Sequence, residues 1–171
     1  MKKQSRFIYE DEIVIIIPIN PLPQKETAFA FRYGRKFAYT PQEKKDYMLA
    51  ILPFLYPYEN WAVKEDCIKA VFRFYKLNKN KVNIGKYWLN EMPDTDNLVK
   101  PIKDCLGKRK IMKAGSKGDF VTAAGVIWDD CQIVHETAMK MVSSQPRIEI
   151  TLSKIIDTTK PRNKTKQQQL F

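Results

Sequence analysis

Alternating apolar and polar positions mark four strands along this chain of 171 residues. The first covers residues 7 to 19, with the apolar run Ile13 to Ile17, and stops at Pro18 and the Pro21-Leu22-Pro23 turn. A second runs from Asp66 to Leu77. There Ile68, Ala70, Phe72 and Phe74 fall on one face and Lys69 and Arg73 on the other, the pattern of a half-buried strand. Alternation returns through Ile133, His135, Thr137, Met139 and Met141, and again through Ile148, Ile150 and Leu152. These last two strands are expected to pair with each other through a turn around Ser143 to Pro146. Helical signals occur twice. Thr40, Pro41 and Glu43 have the composition of an N-cap, an N1 proline and an N3 acid, opening a helix through Tyr47, Leu49 and Leu52 that Pro53 bends or ends. Leu98, Ile102 and Cys105 or Leu106 mark a second helix begun near Asp94, on which Asp96, Lys100 and Asp104 recur every four residues and share a face.

Between these elements, residues 29 to 39 interleave aromatics with small and basic residues around Gly34, which reads as a hairpin or a flexible basic loop. Residues 107 to 124 hold three glycines and five basic residues against one acid, and carry no regular period. The end of the chain is polar, basic and aperiodic. The pattern therefore predicts one small α/β (α+β) domain over residues 1–156 and a flexible basic tail over 157–171. A chain of this length buries a core without disulfides or a structural metal.

Charge narrows the partners. Thirty Lys and Arg against 19 Asp and Glu give a net charge of +11 and a pI near 9.5, which suits attraction to a phosphate backbone. No apolar run approaches the roughly 20 residues that span a bilayer, so a membrane partner is excluded. Glu10, Asp11 and Glu12 interrupt what would be a signal peptide after Met1-Lys2-Lys3, and the expected location is the cytoplasm. Cys67, Cys105 and Cys131 form no CxxC pair and read as ordinary buried thiols. His135, the only histidine, reads as structural.

Against that basic background the acids are concentrated. Asp94-Thr95-Asp96 is answered by Asp129-Asp130, and carboxylates packed together destabilise a fold unless a cation holds them. Cutting a phosphodiester requires charge on the phosphate to be neutralised and a water to be activated, work that one or two Mg²⁺ ions held by carboxylates perform. An Asp-x-Asp by itself is as well explained by a helix N-cap.

Two longer motifs stand in register with a known family. Asp94-Thr95-Asp96-Asn97-Leu98-Val99-Lys100, then Asp104-Cys105-Leu106, then Trp128-Asp129-Asp130-Cys131-Gln132-Ile133-Val134 and the strand Ile148-Glu149-Ile150 resemble the RusA family of Holliday junction resolvases. The resemblance implies a RusA-like domain, a mixed β-sheet packed by helices. It also implies an Mg²⁺-dependent endonuclease, with Mn²⁺ as a substitute, that resolves four-way or branched DNA by paired nicks in recombination and repair, encoded by a bacterium or a phage. Asp94, Asp96 and Asp130 would be metal ligands and catalytic, with Lys100 near the scissile phosphate. Asp129 and Asp104 would be further ligands, Asp104 equally well serving a salt bridge or a hydrogen bond to the Asp130 strand, and Gln132 would orient a carboxylate from behind. Family members act as homodimers, which suits a junction of near two-fold symmetry that needs two nicks.

Two features depart from the family pattern. The basic segment 107–124 is an insertion that either contacts junction arms or is a solvated loop. Pro101 disfavours helical geometry at Lys100, so a kinked or late-starting helix is expected. The candidate DNA contacts are Lys25, Arg32, Arg35, Lys36, Arg73, Lys76, Lys79, Lys81, Lys86, Lys108, Arg109 and Lys110. At the end of the chain Gln167, Leu170 and Phe171 form a Gln-x-x-Leu-Phe that resembles the peptide docking bacterial DNA enzymes on the replication sliding clamp. Two other readings remain open: a non-catalytic module that binds branched DNA, and a nuclease for flaps or single strands.

Overall fold

β-branched, aromatic and long aliphatic residues at every second position build the central sheet of the computed structural model, in which residues 7–23, 28–39, 41–77, 93–108, 110–112 and 120–157 are described. The elements in chain order are β1 (Phe7–Ile17), β2 (Ala28–Arg32), β3 (Arg35–Tyr39), α1 (Gln42–Leu55), β4 (Cys67–Leu77), α2 (Thr95–Leu106), β5 (Lys110–Met112), β6 (Phe120–Thr122), β7 (Ile133–Ser143) and β8 (Arg147–Asp157). Short 3₁₀ turns occupy Tyr56–Tyr58 and Asp130–Gln132. The main sheet has the order β1-β8-β4-β7, antiparallel except for the parallel pair β4 and β7, so the fold is α+β with a mixed sheet.

The expected hairpin of β7 with β8 is not formed, because β4 lies between them. A short turn permits either arrangement. Burial decides, since Ile68, Ala70, Phe72 and Phe74 of β4 are fully buried, and a strand so enclosed needs ladder partners on both edges to satisfy its backbone. Ile15 and Ile17 of β1 and Ile148, Ile150 and Leu152 of β8 join the same core, packed with Ile51, Leu52 and Leu55 of α1 and Leu98, Ile102 and Leu106 of α2.

The alternation through β7 also runs out of phase with burial. Ile68 pairs with Ile133 and Lys69 with His135, so Val134 is an extra residue that shifts the register. Beyond it the partners of buried Ala70, Phe72 and Phe74 are Glu136, Ala138 and Lys140, not His135, Thr137 and Met139. β7 is an edge strand and none of its residues is fully buried.

Helix α1 starts at Gln42 with Pro41 at the N-cap position and no side-chain cap, one residue later than the composition suggests, while Thr40 lies outside the described residues. Pro53 neither ends nor breaks it, and the helix runs to Leu55 before tightening into the 3₁₀ turn. Strands β2 and β3 form the hairpin read from residues 29 to 39. Its two-residue turn, Tyr33-Gly34, has φ of 52° and 75°, the left-handed geometry that matches hairpin twist. Within 107–124, where no regular structure was expected, β5 and β6 pair over three residues each. Among the described residues no helix is long and apolar enough to cross a membrane.

Candidate active site

Helix α2 presents one side to the core and the other to solvent. Leu98, Val99, Pro101, Ile102, Cys105 and Leu106 are buried, whereas Asp94, Asp96, Asn97 and Lys100 are exposed. Asp94 occupies the N-cap with extended backbone but makes no side-chain cap hydrogen bond, so its carboxylate is not spent on the helix end. Pro101 sits inside a helix that continues without a break from Thr95 to Leu106, so the late start expected from it is not found. Its ring is buried, and packing of the apolar stripe offsets the lost backbone bond.

The second cluster is placed by the segment 123–127. Ala124 N–H donates to the Cys105 carbonyl (3.0 Å) and Ile127 N–H to the Leu106 carbonyl (3.2 Å), satisfying acceptors that the end of α2 leaves open. On its other side this segment accepts from Asn60 and Ala62 through the Gly125 and Val126 carbonyls. Gly125 has φ +64°, which favours glycine, and a Cβ there would stand 3.2 Å from the Lys108 stem, a contact tight enough to make that side chain shift. The ammonium of Lys108 lies 4.6 Å from the ring centre of half-exposed Trp128.

Gln132, 5% exposed, fixes the turn that bears the acids. Its Oε1 accepts from the Trp128 and Asp129 N–H groups (2.7 and 3.2 Å), and its Nε2 donates to the Val63 and Asp66 carbonyls (2.6 and 3.0 Å). These partners are backbone atoms, so Gln132 orients the chain that carries Asp129 and Asp130 rather than a carboxylate directly. Asp129 caps the 3₁₀ turn, its Oδ1 accepting from Cys131 N–H at 3.0 Å.

An open groove of about 290 Å³ lies between α2 and the start of β7, lined by Asp96, Val99, Lys100, Lys103, Asp104, Asp130 and Glu136. It brings together Asp96, Lys100, Asp104 and Asp130 from the expected set; Asp94 and Asp129 flank it without lining it. Asp104 is paired with Lys44 of α1 at 3.6 Å, the salt-bridge role, though with a different partner from the strand anticipated. Asp96 and Lys100 make no ion pair or side-chain hydrogen bond among the described residues. Lys103 and Glu136, absent from the sequence-based set, pair at 3.0 Å across the groove. Lys103 had a signal, lying one turn beyond Lys100, whereas Glu136 had none, because the extra residue Val134 is what turns it to the β7 face that meets α2.

Of the three thiols expected to be buried, Cys105 is, whereas Cys67 and Cys131 are exposed. Burial, and then the Asp104 charge, push Cys105 up to about 12, and a hydrogen bond to Asp129 raises Cys131, so neither supplies a thiolate near neutral pH. Three of the four groove carboxylates, Asp96, Asp104 and Asp130, and the adjacent Asp94 are hard oxygen donors of the type that suits Mg²⁺ or Mn²⁺. Among the described residues, no three acidic, histidine or cysteine groups are already gathered closely enough to hold a metal ion. The donor chemistry of these carboxylates fits a divalent cation.

Of the candidate DNA contacts, Arg35 and Lys36 are exposed on the β2–β3 hairpin, while Arg73 is partly buried and donates to Thr151 Oγ1 at 3.4 Å. Arg32 and Lys110 are placed in β2 and β5, and Lys76 is half-buried in β4. Lys25, Lys79, Lys81, Lys86, Arg109, Gln167, Leu170 and Phe171 lie outside the described residues. Compared with known families, residues 18–116 match the family described as Endodeoxyribonuclease RusA, a span that includes Asp94, Asp96, Lys100 and Asp104 and ends before Asp130. No curated protein matches the sequence.

Proposed function

The chain belongs to the RusA endodeoxyribonuclease family, and from that membership we propose that it resolves four-way DNA junctions by paired, Mg²⁺-dependent nicks in recombination and repair. The observation that carries the reading is the groove: Asp96, Lys100 and Asp104 of α2 face Asp130 from a segment beyond the matched span. Asp94, Asp96 and Asp130 would hold the cation, with Asp104 and Asp129 beside them. When bound, Mg²⁺ or Mn²⁺ supplies Lewis acidity toward the phosphate and lowers the pKa of water.

The remaining work falls to this chain's own groups. Lys100 has no competing ion pair among the described residues and is available to a phosphate oxygen, stabilising the charge that grows on it. The N-terminus of α2 adds backbone N–H groups beside the Asp94 and Asp96 carboxylates. Gln132 and the Asp129 cap hold Asp130 on a rigid turn. Binding of the duplex arms falls to the basic surface, Arg35 and Lys36 among it, and is sequence-independent. The described residues show one such groove per chain and a junction needs two nicks, which supports a homodimer; Val14 and Ile16, 50% and 56% exposed on β1, offer apolar surface to a second copy. Gln167, Leu170 and Phe171 would dock on the sliding clamp, and removal of Leu170 and Phe171 should abolish capture by it.

The deciding assay incubates a synthetic four-way junction, beside linear duplex, with Mg²⁺ or EDTA and either wild type or Asp96→Asn. Paired nicks that need Mg²⁺ and vanish in the variant establish the activity and its site. Cuts in flaps or single strands but not junctions would reassign the substrate. Binding without cleavage would favour a non-catalytic module, a reading supported by the Lys44–Asp104 pair and the ungathered carboxylates.

A further inference from the structure

Strand β7 carries the chain away from Asp130 and lies at the sheet edge, with β4 as its one ladder partner among the described residues. Its spacing from α2 therefore depends on side chains. Two of them reach across. Lys140 Nζ donates to the Pro93 carbonyl at 3.0 Å, next to Asp94, and further along the helix the Glu136 carboxylate meets Lys103 at 3.0 Å. Glu136, Ala138 and Lys140 share the β7 face turned toward the helices, and small Ala138 between the two charged ties lets α2 lie close.

Both members of the Lys103–Glu136 pair line the groove, with side chains 26% and 32% exposed. Neither has another side-chain partner among the described residues. Glu136 is exposed and Lys103 half-buried, so what distinguishes the pair is its position, joining β7 to α2 across the groove. It spans the two elements whose separation sets how far Asp96 stands from Asp130.

We propose that Glu136, acting through Lys103, is a positioning residue that fixes the spacing between the α2 carboxylates and Asp130, and with it the affinity of the groove for a divalent cation. The proposal rests on the groove being a cation site. Glu136 is not required as a ligand; its carboxylate is engaged by an ammonium, and the geometry of the pair is what matters.

Mn²⁺ binding to the full chain, read from the loss of the free-ion paramagnetic resonance signal, tests this without reference to cleavage. Glu136→Gln and Lys103→Met should each weaken Mn²⁺ binding about tenfold. The charge-swapped double variant, Lys103→Glu with Glu136→Lys, rebuilds the tie in reverse and should recover most of the affinity, with a thermal midpoint close to wild type showing that it folds. A swap that binds as weakly as the single variants overturns positioning, because then the identity of the carboxylate or the ammonium matters and not the tie. Single variants that bind like wild type overturn it as well. A wild-type chain that holds no Mn²⁺ overturns this inference together with the cation reading. Nicking is scored separately on the same proteins, so binding of Mn²⁺ without cleavage counts against the nuclease reading alone.

Discussion

At the scale of single residues, the site divides into groups that are committed and groups that are not. Asp104 is tied to Lys44 and Asp129 to the turn it caps, whereas Asp96 and Lys100 have no partner among the described residues. Asp96→Asn should therefore remove cleavage with little change in stability, measured by nicking beside a thermal melt. Gln132 is the opposite case. Its four hydrogen bonds join backbone groups of residues 63 and 66 to those of 128 and 129, and its side chain is buried. Gln132→Ala leaves those groups unsatisfied and should cost about 1–3 kcal/mol or more, seen as a lower denaturation midpoint. Thiol reactivity separates in the same way: exposed Cys67 should alkylate in the folded protein, exposed Cys131, its pKa raised by its hydrogen bond to Asp129, should react more slowly, and buried Cys105 should react only after unfolding. Asp104, Asp96 and Lys100 were legible as a shared helical face because a four-residue spacing is local. Glu136 was not, since the bulge at Val134 reverses which face of β7 meets the helices.

At the scale of elements, α2 links the core to the chemistry. Ile102 is fully buried on the side opposite the groove, so Ile102→Ala should destabilise the protein by about 2–5 kcal/mol, measured by urea unfolding. Cleavage should survive at temperatures where the variant remains folded, because the groove residues themselves are untouched. The β2–β3 hairpin makes the contrasting prediction. Arg35 and Lys36 are exposed and remote in sequence from the acids, so replacing either with Ala should weaken junction binding without altering cleavage of bound DNA. Each loss should flatten the dependence of log affinity on log salt by about 1. Pro101 shows how a local rule yields at this scale. Proline in mid-helix is unfavourable, but a helix anchored by Leu98, Ile102, Cys105 and Leu106 has enough buried surface to hold it.

At the scale of the whole molecule, stability and pH are linked through two buried groups. Burial raises Tyr47 from 10.0 to about 12 and Cys105 from 9.0 to about 12. Both are neutral when protonated, so the folded chain keeps protons that the unfolded chain releases first. Their contribution is complete below pH 9 and is lost as pH climbs toward 12. The thermal midpoint should fall over that interval, and Cys105→Ala should remove part of the decline. The net charge of +11 acts at the same scale, and suits attraction to a phosphate backbone from a distance without specifying a cleavage site.

The sequence by itself determined the four strands of the main sheet, the amphipathic helix bearing Asp96, Lys100 and Asp104, and the family, which the comparison with known families bore out over residues 18–116. These are local properties: a side-chain period or a short motif is complete within a few neighbouring residues. Tertiary structure alone decided that β4 divides β7 from β8, that segment 123–127 seals the end of α2, and that Lys103 meets Glu136 across the groove. Each of those joins residues far apart in the chain. Such pairings are selected by which arrangement buries the most apolar surface while satisfying every enclosed backbone group, a condition that belongs to the assembled sheet and helices and not to any one segment.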